Sequence, residues 1–151
     1  MAGITKESHA GLPLPLKLLY RYLLTVPHMD KIGAERVVAH VADWPGDTEW
    51  DGEPDESIMG PGDWRKGEGL PEKGSLKDVV VIRPPLLTDG ECVAEKVETK
   101  GGGKAKGPYR VQEGTLSGGW TVSRKDVSHF LVEGVIKNWR EWKGKCVSIA
   151  Y

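Results

Sequence analysis

An unbroken apolar run, residues 79–83, predicts a strand that ends on a charge. The run reads VVVIR and shows no alternation of polar and apolar positions. Continuous β-branched runs are typical of strands in parallel sheets that are covered on both faces. Pro84 and Pro85 follow at once, and proline cannot continue a ladder because it lacks an amide donor. We therefore expect a fully buried strand with a rigid exit at its carboxyl end.

Two helices are predicted before residue 43. Pro13 and Pro15 suit the first turn of a helix, and Pro27 is expected to close that helix. Its apolar positions follow helical spacing: Leu16, Leu19, Tyr20, Leu23 and Leu24. A second helix is expected to start near Asp30, an N-cap type of residue. Its predicted apolar stripe comprises Ile32, Ala34, Val37, Val38 and Val41.

The clearest helical pattern begins at Ser123. Ser123 with Asp126 three residues later predicts a capping box, and a single apolar face follows it. That face comprises Val127, Phe130, Leu131, Gly134 and Val135. Shorter apolar runs at 108–114, 120–123 and 145–151 predict strands.

Residues 43–74 break the periodic pattern. Glycine and proline recur there, and acidic residues outnumber basic ones. We therefore expect a long irregular acidic insertion on the surface, over residues 43–77, rather than a domain. Three tryptophans are expected to pin the insertion to the body of the protein by burying apolar area: Trp44, Trp50 and Trp64. The basic, glycine-rich stretch 95–107 predicts a mobile loop.

Composition narrows the class of protein. The chain has 151 residues, a formal net charge of -1, 38% hydrophobic residues and 28% charged residues, which fits one soluble globular domain. The balanced charge gives no electrostatic footprint for nucleic acid. Cys92 and Cys146 lie far apart and form no metal-spaced pair, so reduced intracellular thiols are expected.

The apolar stretch 12–26 raises the question of a membrane. It is interrupted by Lys17 and Arg21 and is too short to span a bilayer, so a buried or half-buried helix is expected instead. The amino terminus also lacks the apolar core of a signal peptide. We therefore expect a cytoplasmic protein without a membrane partner.

The sequence holds no motif that indicates metal or phosphate chemistry. The segment GGGKAKG lacks the spacing of a P-loop, and no G-x-G-x-x-G follows a predicted strand. The acidic stretch at 47–58 copies the start of a calcium loop, but Ile58 stands where the closing glutamate is needed. The four histidines form no zinc-type pair: His9, His28, His40 and His129. No metal site is expected.

Two features are left as candidates for a site. By spacing alone, Lys31 is an exposed lysine in the first turn of a helix. The Pro84–Pro85 pair is either a rigid strand exit or the wall of a ligand crevice, since such crevices lie beyond the carboxyl ends of parallel strands. In the second case Arg83 would pair with a carboxylate or a phosphate.

Several segments together resemble a known family. DKIGAERVV, DVVVIRPPLLTDGE, GPYRV, WTVSRKDVSHFLVEGV and GKCVSIAY occur in the order found in atypical short-chain dehydrogenases/reductases. The resemblance is to the NAD(P)-binding, NmrA-like and flavin reductase/biliverdin reductase B-like group, and to its carboxyl-terminal half only. It implies an α/β fold: the carboxyl-terminal part of a Rossmann-like doubly wound sheet, as a single partial domain over 1–151.

The resemblance also implies site residues. Lys31 stands where the family has its active-site lysine, which binds the nicotinamide ribose, while Pro27 replaces the tyrosine of the Tyr-x-x-x-Lys pair. Pro84, Pro85 and Leu86 match the segment that packs on the nicotinamide. With Lys31 and Arg83 they are the expected cofactor-binding residues for NAD(P).

The implied activity is hydride transfer from NAD(P)H to a small carbonyl-bearing or aromatic acceptor. Because the glycine-rich turn that holds the pyrophosphate is missing from these residues, the chain by itself is expected to be inactive. Two alternatives stay open. The chain could be a non-catalytic binding or regulatory module with a protein partner at the acidic insertion, or it could fail to fold because the strand at 79–83 keeps an exposed edge.

Overall fold

The structure is a computed structural model that describes residues 14–44, 55–98 and 107–151. It is a mixed α/β protein with a small mixed sheet and several helices. The chain divides after Val79 into an amino-terminal unit and a carboxyl-terminal unit, Val80–Tyr151. The single partial dinucleotide-binding domain over 1–151, like the Rossmann-like architecture, stays a prediction.

The amino-terminal unit is helical. It comprises α1 (Leu14–Leu23), α2 (Thr25–Ala42), α3 (Glu56–Met59) and a 3-10 turn, Trp64–Lys66. Pro15 lies in the first turn of α1, as expected. The prediction that Pro27 closes a helix is wrong, because the chain breaks at Leu24 and Pro27 lies in the first turn of α2. Proline is tolerated at that place because the first amides of a helix need no intrahelical acceptor.

The packed face of α2 differs from the predicted stripe. Its buried residues are Gly33, Arg36, Ala39 and Val41, whereas Ala34 is exposed. Gly33 lies so close to α3 that an added Cβ would stand 2.9 Å from the sulfur of Met59. The close approach of the two helices at a glycine therefore decides which face is covered.

Parts of the predicted insertion contact α2. The Trp64 ring packs edge-on against His40, with ring centroids 5.5 Å apart, and the Arg65 guanidinium lies 4.5 Å from the centre of the Trp64 ring. Trp44 donates its amide to the carbonyl of Ala39. Trp50 lies outside the described residues, as does 99–106 of the predicted mobile loop, and the insertion as a whole stays a prediction.

The carboxyl-terminal unit is built on two small sheets. The first has the order β1-β5-β3, in which β1 (Val80–Arg83) is parallel to β5 (Lys145–Ala150), and β3 (Arg110–Glu113) is antiparallel to β5. The second pairs β2 (Leu86–Thr88) in parallel with β4 (Thr121–Ser123). The runs at 79–83, 108–114, 120–123 and 145–151 thus all contain strands.

The prediction that β1 is fully buried holds at Arg83 and is wrong for the rest of the strand. Its three apolar residues are only half-buried, and Arg83 is the buried position. Within the described part of the chain, β1 pairs with β5 and with no other strand. One edge of β1 therefore carries no ladder in these ranges, which explains why its valines are not fully covered.

The core of this unit lies between β5 and the helices that precede it. The buried cluster comprises Val122, Phe130, Val135, Val147 and Ile149. Short α4 (Val93–Glu98) and α5 (Arg124–His129) flank it, and α5 runs into a π-helical segment, Phe130–Ile136, before α6 (Trp139–Trp142). Leu131, predicted in the apolar face, is exposed, because the wider π turn rotates the face away from the 3.6-residue period.

Candidate functional site

The carboxyl end of β1 is a corner between the two sheets. Arg83 is paired with Ser148 of the parallel strand β5 and is 8% exposed. Pro84 and Pro85 then turn the chain from β1 into β2, and Pro85 is buried. Neither proline can donate an amide hydrogen bond, so the corner presents carbonyls and apolar rings on a rigid backbone.

Beyond the corner, two leucines are open to solvent. Leu86 is 48% exposed and Leu87 37% exposed, although both lie in β2. The backbone beneath them is fixed, because Leu86 donates its amide to the carbonyl of Trp120 at 3.2 Å and pairs with Thr121. At this corner Arg83 and Pro85 are therefore buried, Pro84 is half-buried and Leu86 is exposed; the segment 83–86 is called the wall below.

Lys31 lies in the other unit. It is the seventh residue of α2 rather than a first-turn residue, and its side chain is exposed. Gly33, two residues further along α2, lies close to Ile58 of α3. The structure thus assigns Lys31 and the segment 83–86 to different units.

Asp126 is a hydrogen-bonding centre that the sequence pattern anticipated only in part. Ser123 accepts the amide of Asp126 at 3.0 Å, which confirms the N-cap. The reciprocal bond to the Ser123 amide is absent from the described contacts, because that amide donates to the Tyr151 hydroxyl instead. The carboxylate of Asp126 accepts from the Ser123 hydroxyl at 2.8 Å and from the Tyr151 hydroxyl at 2.5 Å.

The same carboxylate also caps α4. It accepts the amides of Val93 and Ala94 at 3.1 and 3.0 Å, and the thiol of Cys92 at 3.4 Å. These amides belong to the first turn of α4, where no intrahelical acceptor exists. Asp126, which is fully buried, therefore ties α4 and α5 together.

The ionisation of Asp126 follows from these contacts. Burial alone would raise the pKa of Asp126, but the hydrogen bonds from Tyr151, Ala94, Ser123 and Val93 outweigh it and lower the pKa to about 2. Burial next to this carboxylate raises the pKa of the Cys92 thiol. The centre therefore holds a fixed anion and an unreactive thiol, which makes it a structural element rather than an acid–base site.

A second polar pair was missed by sequence reasoning. The Tyr109 hydroxyl and Nδ1 of His129 are 2.8 Å apart. Tyr109 directly precedes Arg110, which pairs with Ala150 at the carboxyl end of β5. Because β1 and β5 are parallel, Tyr109 lies at the same end of the sheet as Arg83, but beside the opposite edge strand. A phenol hydrogen-bonded to an imidazole can relay a proton. The sequence did not indicate this pair, because Tyr109 and His129 lie twenty residues apart.

The described side chains contain no metal centre. No group of three His, Cys, Asp or Glu residues within 14–44, 55–98 and 107–151 could hold a metal ion. Over the same ranges, none of the helices combines the length and the apolar character needed to cross a membrane.

One curated relative gives a lead to function. Reductase pytE of Aspergillus terreus is 32% identical to this chain over 147 residues, which cover 96% of the chain and 44% of the relative. The chain therefore spans less than half the length of that protein. No family model matches the chain, and no solved structure matches it.

Proposed function

We propose that this chain is part of a NAD(P)H-dependent reductase of the atypical short-chain dehydrogenase/reductase type, and forms the nicotinamide side of its cleft. The observation that carries the proposal is the similarity to a protein named a reductase, which extends over 96% of this chain. The corner at the end of β1 supports it, since ligands of open α/β sheets bind beyond the carboxyl ends of parallel strands. The complete sheet would be Rossmann-like.

The wall after β1 would hold the nicotinamide. Pro84 and Leu86, on either side of the buried Pro85, offer a rigid apolar surface of the kind on which a flat heteroaromatic ring packs, and Leu86 is exposed enough to touch a ligand. Arg83 at the end of the strand would provide positive charge beside the cofactor. The cofactor supplies the hydride chemistry, and the protein orients the ring against a small carbonyl-bearing or aromatic acceptor.

Lys31 would bind the ribose of the nicotinamide half. Its exposed ammonium can donate to two hydroxyl groups at once. The sequence contains no glycine-rich turn for the pyrophosphate, so the chain by itself would bind NAD(P) poorly and would not catalyse turnover. The reductase would act in the cytoplasm on a small molecule, with neither nucleic acid nor membrane as partner.

A chimera tests this proposal. The stretch of Reductase pytE that matches this chain is replaced by the 151-residue chain, and NADPH binding is measured by isothermal titration calorimetry for the chimera, the parent and the chain alone. We expect the chimera and the parent to bind NADPH and the chain alone to bind at least about a hundredfold more weakly, because the phosphate contacts are missing.

Single substitutions in the chimera locate the site. Lys31→Ala is expected to weaken NADPH binding about tenfold, since a lost charged hydrogen bond is worth about 1.5 kcal/mol or more. Lys77→Ala, at another exposed lysine, is the matched control and should change nothing. A folded chimera that does not bind NADPH, or equal losses in both variants, would contradict the proposal.

A further inference from the structure

The loop that follows β2 turns back onto the face of the strand that carries Leu86. Side chains alternate between the two faces of a strand, so Leu86 and Thr88 lie on the same face of β2 and roughly 7 Å apart. A Cβ added at Gly90 would stand 3.6 Å from Oγ1 of Thr88 and 3.8 Å from Cβ of Ser123, the residue that pairs with Thr88. Gly90 therefore lies at the carboxyl end of the parallel pair β2–β4, on the side of the exposed Leu86.

This loop, residues 89–92, is held in place at both ends. At its start, Asp89 forms an ion pair of 2.5 Å with Arg124 of α5. At its end, the Cys92 thiol donates to the buried carboxylate of Asp126 at 3.4 Å. Because the loop is short and anchored on both sides, the space beside it is already formed before any ligand binds, as is usual for small-molecule sites.

The fold does not require a glycine at position 90. Gly90 does not adopt a positive φ, and a Cβ there would make only ordinary van der Waals contacts. Gly114 and Gly118, by contrast, have positive φ, and an added Cβ at Gly119 or Gly134 would clash with a neighbouring side chain. Alanine at position 90 would also stabilise the protein, because it restricts the unfolded chain. Glycine has one further use, which is to let a ligand approach the backbone closely.

We propose that Gly90 determines the specificity of the reductase site, because its missing side chain leaves room for a flat aromatic carbonyl compound as the hydride acceptor. This inference rests on the proposed function, which puts the nicotinamide ring against Leu86. An acceptor of two fused rings that meets the nicotinamide there and extends along β2 covers the roughly 7 Å to Thr88 and reaches Gly90. Its flat face then lies against bare backbone, and any larger side chain at position 90 takes that space.

Binding of 2-naphthaldehyde to the reductase chimera saturated with NADP⁺ tests the role of Gly90, since the oxidised cofactor has no hydride to transfer to this probe. A ligand-detected NMR titration gives the dissociation constant. Gly90→Val should weaken binding at least about tenfold, because added methyl groups fill the space of the ligand, and Gly90→Ala should have a smaller effect.

Two comparisons isolate the acceptor site. The dissociation constant of NADPH should be the same in Gly90→Val as in the unsubstituted chimera, because Gly90 lies beyond the wall. Gly107→Val is the matched control: Gly107 is also exposed and has no positive φ, and an added Cβ there meets only the Tyr109 carbonyl at 3.5 Å. Gly107 lies outside the loop 89–92, so naphthaldehyde binding should be unchanged.

A thermal melt of the 151-residue chain tests the claim that the fold does not need this glycine. Gly90→Ala should raise the Tm by about 1–4 °C, and a lower Tm would overturn the inference. Naphthaldehyde binding that is unchanged in Gly90→Val, equally weakened in Gly107→Val, or absent from a chimera that binds NADPH also overturns it and leaves the proposed function intact. A chimera that does not bind NADPH refutes the proposed function and this inference together.

Discussion

The Tyr151 hydroxyl donates a hydrogen bond of 2.5 Å to the Asp126 carboxylate and accepts the Ser123 amide at 3.1 Å. The residue that follows β5 is thereby joined to the start of α5. Since the same carboxylate caps α4, a single buried anion connects three segments that lie far apart in the sequence. The stability of the carboxyl-terminal unit should depend on it.

Removing the charge of Asp126 should strongly destabilise the protein. Asp126→Asn keeps the shape of the side chain but loses the charged acceptor for buried donors, so we expect the free energy of unfolding to fall by about 3 kcal/mol. Urea unfolding followed by circular dichroism measures it. Asp89→Asn is the matched control, because Asp89 pairs with Arg124 at an exposed site and should change stability by less than about 1 kcal/mol. Equal effects would refute the role of the buried anion.

Removing one donor should have a smaller effect. Tyr151→Phe deletes a hydroxyl that donates to the carboxylate and accepts from Ser123, and we expect a loss of about 1.5–2 kcal/mol. Tyr22→Phe deletes a hydroxyl on a residue that is 75% exposed and serves as the control. A loss no larger than that of Tyr22→Phe would show that the 2.5 Å contact contributes nothing to folding.

The Asp126 contribution should vanish in acid. The pKa of Asp126 is lowered from 3.8 to about 2 in the folded protein, so between these values the unfolded state binds more protons. The contribution is complete above about pH 5 and is lost as the pH falls towards 2; it amounts to about 2 kcal/mol. Urea unfolding of the wild type and Asp126→Asn at several pH values should show their difference shrinking over this window. A constant difference would contradict the lowered pKa.

A methyl group at Gly134 should destabilise the π segment. An added Cβ would stand 2.5 Å from Cδ2 of Phe130, whose ring is fixed by edge contacts with Tyr109 and Trp142. Alanine gains about 1 kcal/mol in helical propensity, but overpacking costs about 1–3 kcal/mol, so Gly134→Ala should be destabilising by about 1 kcal/mol. A thermal melt measures this.

A smaller side chain at Phe130 tests whether the clash with its ring causes the loss of stability. In the double variant Phe130→Leu with Gly134→Ala, the alanine should be less harmful than in the wild-type background, because its methyl group no longer meets the ring. If the two substitutions are additive, the clash with Phe130 is not the source of the effect.

The local pattern predicted the strands well because each is a short apolar run with its own signal. It placed β1, β3, β4 and β5, and it anticipated the parallel neighbour of β1 from the unbroken β-branched run. It overestimated the burial of Val80, Val81 and Ile82, since β5 is the one strand that pairs with β1 in the described ranges. The apolar run itself does not indicate which edge of β1 a neighbouring strand will cover.

Helix faces were predicted less well because distant contacts decide them. The Gly33 approach to Met59 sets the packed face of α2, and the π segment after His129 breaks the period on which the face of α5 was based. For the site, the carboxyl end of β1 was readable from Arg83, Pro84 and Pro85. The partners of Asp126 were not, since they lie 25 to 34 residues away.

The most direct test of the central claim is whether the nicotinamide ring touches Leu86. Methyl-labelled leucine in the reductase chimera, with NADP⁺ bound, allows nuclear Overhauser effects from the nicotinamide protons to be assigned by comparison with Leu86→Ala. We expect cross-peaks to the Leu86 methyl groups and none to Leu131, an exposed leucine outside the wall. Bound cofactor without contacts to Leu86 would refute the proposed nicotinamide site.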